Sequence, residues 1–156
     1  LHLAHKNICK FREGFVSVEE HNALIKENYH KRVTKRDTVY FLGDVAFDKE
    51  SLADVKTWVG VKKILICGNH DLDHHTMKDL VEVYDEVYAL KKYKELWLSH
   101  APIHPDELRG KVNIHGHTHY HNIADDRYVN VSMEQINYTP IELHEIRAKL
   151  YKDIQA

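Results

Sequence analysis

The segment that decides the fold is Thr38-Val39-Tyr40-Phe41-Leu42-Gly43-Asp44. Its first five residues are β-branched, aromatic or apolar, which is typical of a strand buried in a sheet. A glycine and a polar residue follow at once, and the same arrangement recurs in Lys63-Ile64-Leu65-Ile66-Cys67-Gly68-Asn69. Open α/β sheets bind their ligands at the carboxyl ends of strands. The two segments therefore predict a ligand site where neighbouring strands end.

Helices and further strands are predicted on both sides of these segments. Ser17-Val18-Glu19-Glu20 is typical of a capping box and predicts a helix to about Arg32. Helices first alternate with strands and then give way to strands, which predicts an α/β fold with a mixed sheet or two sheets. No repeat or Pro/Gly-rich linker interrupts the sequence, so residues 1–156 are predicted to form one domain. The other predicted elements are helices at 49–58, 76–83 and 142–154 and strands at 86–91, 95–99, 112–115 and 128–133.

Composition excludes several functional classes. A formal net charge of -2 argues against binding duplex nucleic acid by positive charge. The apolar runs are far shorter than a membrane span, and the sequence opens with no signal-like segment. Two cysteines cannot form a disulfide scaffold, so we expect a reducing compartment and a cytoplasmic protein. The unusual feature is the presence of 14 histidines.

Polar side chains able to bind a metal ion follow four of the predicted strands. Gly43, Gly68 and Gly116 each precede one of them, and glycine lets the backbone turn and approach a bound ion. A structural zinc site needs thiolates, whereas imidazole, carboxylate and amide ligands together favour two divalent cations about 3.5–4 Å apart. The side chains concerned are Asp44, Asn69, His70, His100, His117 and His119.

Four short motifs resemble, in their order, the signature blocks of the calcineurin-like metallophosphoesterase superfamily, and in particular its small single-domain phage and bacterial members. The resemblance covers nearly the whole chain. Any one motif is a weak match, whereas four in order at predicted strand ends are a specific signal. The motifs are Gly43-Asp44, Gly68-Asn69-His70-Asp71, Ser99-His100-Ala101-Pro102 and Gly116-His117-Thr118-His119.

The resemblance implies a fold of two facing mixed β-sheets flanked by helices, with a dinuclear metal centre at the strand ends. Manganese is the expected metal, and iron, zinc and nickel are alternatives that the same ligands accept. The resemblance implies that His2, Asp44 and His119 hold the first metal ion, and that Asp44, Asn69, His100 and His117 hold the second.

The resemblance also implies a reaction, the hydrolysis of phosphomonoesters or phosphodiesters. A hydroxide that bridges the two cations attacks phosphorus in line. It forms from bound water, since the cations lower the pKa of that water. His70 faces the phosphate and protonates the leaving oxygen or stabilises the transition state. Small substrates are expected, nucleotides among them. Candidates for contacts to the substrate are His5, Asn7 and His104.

Two features depart from the family pattern. Its first block is Asp-x-His, of which His2 matches the histidine; we expect the aspartate and the first strand to precede Leu1. Without that aspartate the alternative is a noncatalytic scaffold of the same fold, as in the retromer subunit, although such a scaffold has little reason to keep His70. Asp44 is followed by Val45 rather than by the phosphate-binding arginine of the protein Ser/Thr phosphatases, which disfavours that branch.

The remaining polar residues of interest receive structural interpretations. Asp71 is expected to tie its own turn or to cap the following helix. His115 is expected to pack inside the protein. Five histidines on predicted helices or loops are expected to face solvent, namely His21, His30, His74, His75 and His144.

Overall fold

The structure, a computed structural model, describes residues 1–152. These residues form an α/β fold with two β-sheets flanked by helices, as the sequence predicts at this level. The predicted end of the last helix, at Ile154, lies outside the described residues. In chain order the elements are α1 (Ile8–Phe11), α2 (Val18–Arg32), β1 (Thr38–Phe41), α3 (Lys49–Lys56), β2 (Lys62–Ile66), α4 (Asp71–His74), α5 (Met77–Val83), β3 (Glu86–Tyr88), β4 (Lys91–Tyr93), β5 (Leu96–Ser99), β6 (Val112–His115), β7 (Tyr128–Asn130) and α6 (Leu143–Lys152).

The two sheets differ in the direction of their strands. The first has the order β1-β2-β3 and is parallel throughout. The second has the order β4-β5-β6-β7, in which β4 runs antiparallel to β5 and the other pairs are parallel. Parallel neighbours bring their carboxyl ends to one edge. The residues after β1 and β2 are therefore neighbours, and so are those after β5 and β6.

The predicted strand at 86–91 is wrong, because this segment is divided between the two sheets. Glu86–Tyr88 pairs with β2, whereas Lys91–Tyr93 pairs with β5. The exposed residues Ala89 and Leu90 bend between them. Both halves have the composition of a strand, and nothing in their period-two pattern tells which sheet each one joins.

The buried apolar residues form two clusters that share strand β2. Leu65 belongs to a cluster with Tyr29, Phe41 and Val55, which packs helices α2 and α3 on the first sheet. Ile66 belongs to the other cluster, which includes β5, β6 and α6. Neighbouring residues of a strand point to opposite faces of its sheet. The uninterrupted apolar run of β2 is explained by burial on both faces.

Two histidines that were expected to face solvent are buried, so that expectation is wrong for them. His21 lies on the inner face of α2, and its Nε2 is 2.6 Å from Nη1 of Arg12. His75 follows α4 and donates from Nε2 to the carbonyl of Ala46, at 2.9 Å. His75 meets a loop distant in sequence, which helical spacing does not reveal. His21, in contrast, shares the buried face of α2 with Ile25 and Tyr29 at i, i+4 spacing, a pattern that indicates burial. His30, His74 and His144 are exposed as expected.

The N-terminal segment pairs with the residues that follow β1. The backbone N–H groups of His2 and Leu3 donate to the carbonyls of Asp44 and Val45, at 2.8 and 2.9 Å. Leu3 is buried and forms a parallel bridge with Ala46. This pairing places His2 directly beside Asp44.

None of the helices within residues 1–152 is both long enough and apolar enough to cross a membrane.

Candidate metal centre

The turns that follow β1 and β2 touch each other, and two glycines make this contact possible. Gly43 has a φ of +87°, and a Cβ there would lie 2.6 Å from the backbone nitrogen of Gly68. A Cβ on Gly68 would overlap the carboxylate of Asp44. Gly116 is different, since a Cβ there would meet its nearest neighbour at 3.7 Å, an ordinary contact. The predicted need for glycine thus holds at two of the three positions.

The buried carboxylate of Asp71 joins these two turns. Its Oδ2 accepts from the backbone N–H groups of Asp44 and Gly68, at 2.8 and 2.7 Å, and its Oδ1 accepts from that of Val45, at 3.1 Å. The sequence predicts the bond within its own turn. The bonds to the turn after β1 depend on the pairing of β1 with β2.

Three predicted ligands meet at the ends of β1, β5 and β6. Asp44, His100 and His117 each present one ligand atom, and these atoms lie within 4.8 Å of one another. The Nε2 atom of His100 is 3.1 Å from Oδ2 of Asp44 and 3.1 Å from Nδ1 of His117. Two imidazole nitrogens and a carboxylate oxygen at this spacing fit one divalent cation.

The orientation of His100 is fixed by a backbone carbonyl. Its Nδ1 donates to the carbonyl of Leu42, at 2.6 Å, so Nε2 is the nitrogen that faces Asp44. A metal-binding histidine is held in this way, with its second ring nitrogen donating to an acceptor outside the site. Without a cation, a proton on Nε2 makes the bond to Asp44.

At the expected first metal position, the contact between Asp44 and histidine is longer than at the second. Nε2 of His2 lies 3.8 Å from Oδ2 of Asp44, the same oxygen that Nε2 of His100 approaches at 3.1 Å. Its ring is 5.0 Å from that of His119, centroid to centroid. Nδ1 of His2 is buried and has no hydrogen-bond partner in the described part of the chain. The three residues expected at the first metal position are thus neighbours.

Four of these residues have left-handed backbone, which costs free energy in residues other than glycine. Such residues often occur at functional sites, where the surrounding structure holds them. Here the strain aims side chains from three separate loops at one point. The φ angles are 61° at His2, 50° at Asp44, 67° at His117 and 50° at His119.

His70 is attached to the centre through its backbone. Its N–H donates to Oδ1 of Asp44, at 2.9 Å, and its ring lies 5.3 Å from that of Phe47. The side chain is 43% exposed, and its Nδ1 pairs with Oδ2 of Asp73, at 3.0 Å. Asp73 is not among the predicted site residues, although its i, i+3 spacing from His70 is a usable signal. Asn69 lies in the same turn and is exposed.

The three candidates for substrate contacts have different positions. His5 packs edge-on against Phe47, with ring centroids 4.9 Å apart, and lies 5.9 Å from the ring of His2. Asn7 is exposed at the start of α1, and His104 is exposed beside a 3₁₀ turn. In the part of the chain that the structure describes, neither contacts a predicted ligand through a hydrogen bond or a ring. Only His5 is brought to the centre.

A buried carboxylate behind His119 was missed from the sequence. Oε1 of Glu134 is 2.8 Å from Nδ1 of His119 and 2.7 Å from Nε of Arg12. Burial tends to raise the pKa of Glu134, but its hydrogen bond to His119 and the charge of Arg12 lower the pKa to about 2. These residues are far apart in sequence and match no motif. His115 is buried, with Nδ1 2.8 Å from the carbonyl of Gly116, which fits its expected packing role.

The charges at the centre are coupled. Burial tends to raise the pKa of Asp44 and to lower that of His100, yet the bond between them reverses both effects. The pKa of Asp44 is therefore below its ordinary value of 3.8, and that of His100 is above 6.5. Burial and the neighbouring His100 lower the pKa of His117. A cation that replaces the proton between Asp44 and His100 finds both ligands already in place.

A cavity of about 680 Å³ extends from the centre into the space between the sheets. His2, His100, His117 and His119 line its polar end, whereas its remaining walls are mainly apolar side chains from both sheets and from α2 and α6.

The chain is similar to three proteins whose names state no activity. It is 29% identical to an uncharacterized protein, MJ1445, of Methanocaldococcus jannaschii, over 91% of this chain and 82% of that protein. It is also 29% identical to the gene 66 protein of Mycobacterium phage L5, over 76% and 74%. A crystal structure of the Aquifex aeolicus protein AQ665, of unknown function, superposes with a TM-score of 0.73 and 28% identity, over 94% of each chain. No protein-family model matches.

Replacing Asp71 tests the link between the turns. Asp71→Asn offers only one acceptor oxygen, and its amide N–H₂ then faces backbone N–H groups. We expect a loss of about 2–3 kcal/mol in the free energy of unfolding, measured by urea denaturation. Asp126→Asn, at an exposed position, is the matched control and changes stability by less than about 0.5 kcal/mol. An Asp71→Asn protein as stable as the control would contradict this role.

A pH titration of the metal-free protein tests the Asp44–His100 pair. NMR is expected to give His100 a pKa above 6.5, and Asp44→Asn to bring it below 6.5, because burial then dominates. The His100 contribution to stability is present below pH 6.5 and is lost as pH rises through the raised pKa. The Asp44 contribution is present above pH 3.8 and is lost as pH falls through the lowered pKa.

The control for this titration is Asp125→Asn, which removes a carboxylate paired with Arg127. It leaves the His100 pKa unchanged. If Asp44→Asn also leaves that pKa unchanged, the two groups are not coupled.

Proposed function

We propose that this chain is a phosphoesterase dependent on two divalent cations, which hydrolyses small phosphomonoesters or phosphodiesters. The observation that supports the proposal most is the meeting of Asp44, His100 and His117 within 4.8 Å, at the ends of three strands. His2 and His119 lie beside this group. Two metal positions that share Asp44 account for all five side chains, and Mn²⁺ is the cation to test first.

The side chains that could bind the cations determine what the protein contributes to the proposed hydrolysis. When bound, the two cations supply Lewis acidity that activates water and offsets the negative charge of the phosphoryl group. Oδ2 of Asp44 lies near Nε2 of both His2 and His100, at 3.8 and 3.1 Å, so Asp44 is the residue that could serve both positions. Asn69 is exposed in the turn that precedes His70, and we propose that its amide oxygen serves as a further ligand of the second cation, which would add no charge.

His70 is placed to move a proton. Its Nδ1 is paired with Asp73, which leaves Nε2 as the nitrogen that can hold a proton for the leaving oxygen. Its backbone bond to Asp44 keeps the ring near the cations. Proton transfer by a positioned histidine contributes typically 10²–10⁴-fold to rate.

The accessible side of the centre favours small substrates. His117 is exposed and His70 is 43% exposed, so a phosphate group can reach both from solvent. The ring of Phe47 lies against those of His5 and His70 and offers an apolar surface beside the phosphate position. A nucleoside phosphate is one substrate of this kind. The net charge of -2 gives no general attraction to duplex nucleic acid.

We propose further that the fold is that of the metallophosphoesterases, in which two sheets face each other. Residues 1–3 run parallel to the segment after β1 and bond to it. A cytoplasmic location is supported by the free thiols of Cys9 and Cys67.

Hydrolysis of p-nitrophenyl phosphate and of its bis-ester in the presence of Mn²⁺ tests the proposal. We expect activity with at least one of the two substrates. Asp44→Asn should reduce it to the rate of Mn²⁺ alone, because both cations lose a shared ligand. His70→Gln should lower kcat by about 10²–10⁴-fold.

His144→Gln is the matched control, because His144 is exposed on α6, and it retains full activity. Equal hydrolysis rates for the wild type and Asp44→Asn would refute the proposed phosphoesterase activity. Two bound Mn²⁺ ions per chain without hydrolysis of either ester would favour the noncatalytic scaffold instead.

A further inference from the structure

The buried carboxylate of Glu134 lies directly behind His119. Its side chain is 1% exposed, and Oε1 accepts from Nδ1 of His119, at 2.8 Å. A histidine that donates from Nδ1 keeps a lone pair on Nε2. That nitrogen is then the one available to a cation, and a carboxylate partner increases its basicity.

Arg12 holds this carboxylate in place. Its guanidinium is buried, and Nε donates to the same Oε1 of Glu134, at 2.7 Å. Nη1 donates to the carbonyl of Leu1, at 2.8 Å, and lies 2.6 Å from Nε2 of His21. Because Nδ1 of His21 donates to the side chain of Asn22, its Nε2 is the acceptor for Arg12.

The contacts of Arg12 connect the two histidines of the first metal position. The peptide that leads into His2 accepts a bond from the guanidinium, and the carboxylate that orients His119 accepts another. The two histidines come from segments more than a hundred residues apart in sequence and are held together through one buried ion pair. None of these contacts reaches His100 or His117.

We propose that the Arg12–Glu134 pair is a positioning device for the first metal position, fixing His119 as an Nε2 ligand and placing it beside His2. This inference rests on the proposed metal centre. It assigns Glu134 as a positioning residue, which acts through His119 rather than on the substrate. The second position, at His100 and His117, is independent of the pair.

Titration of each protein with Mn²⁺ alone, followed by the EPR signal of the free ion, tests the proposal. In Glu134→Gln a neutral oxygen replaces the carboxylate, and we expect one of the two binding constants to weaken by about 10–100-fold. The other constant should stay within about threefold of wild type, since the second position is untouched. Glu95→Gln is the matched control, because it removes a carboxylate from a different arginine pair, with Arg147.

The control protein binds both ions as wild type does. Unchanged constants in Glu134→Gln, or an equal weakening of both, would overturn the positioning role. If wild type binds no Mn²⁺, the proposed function fails instead, and the two failures are thereby distinguished. Circular dichroism and urea denaturation confirm that each variant is folded.

A second readout needs no metal. Nitrogen NMR of the metal-free wild type, at a pH where His119 is neutral, should show its proton on Nδ1. In Glu134→Ala that preference should disappear, because the acceptor is gone. A proton found on Nε2 in wild type, or the same tautomer in both proteins, would refute the orientation.

Discussion

The rest of the site depends on one constraint, the contact between the turns after β1 and β2. Asp71 accepts hydrogen bonds from three backbone N–H groups of these turns. Gly43 and Gly68 have no Cβ atom, which lets the two turns approach each other. Asp44 is thereby held in left-handed backbone, with its carboxylate turned toward the neighbouring sheet. A local arrangement of amides and one carboxylate thus determines where Asp44 presents its carboxylate to the proposed cations.

The two halves of the centre are built by different means. His100 is oriented by a backbone carbonyl at the end of β1, and its own strand belongs to the second sheet. His2 is placed by backbone bonds to the segment after β1, and the side chain of His119 is oriented by Glu134 of the buried Arg12–Glu134 pair. The orientation of His100 thus follows from strand pairing, and that of His119 from side-chain contacts between distant loops. A change in those loops is therefore expected to affect the proposed first metal position more than the proposed second one.

The polar residues at the ends of strands could be predicted from the sequence, whereas the contacts between distant loops could not. The strands that begin at Thr38 and Lys62 were predicted to within one residue, because burial leaves a continuous apolar run. The segment at 112–115 was predicted with its observed bounds, although its residues Val-Asn-Ile-His alternate in polarity. Asp44, His100 and His117 follow predicted strands, and the structure brings them together. Arg12 and Glu134 lie in loops without periodicity or motif. Their pairing across 122 positions is a tertiary property.

The central claim is that Asp44 is a ligand shared by two cations. It is tested most directly by crystals grown with Mn²⁺ and measured for anomalous scattering. We expect two peaks about 3.5–4 Å apart, one contacted by Asp44, His100 and His117 and the other beside His2 and His119. A density map without a peak at Asp44, from crystals that contain Mn²⁺ elsewhere or nowhere, would contradict it.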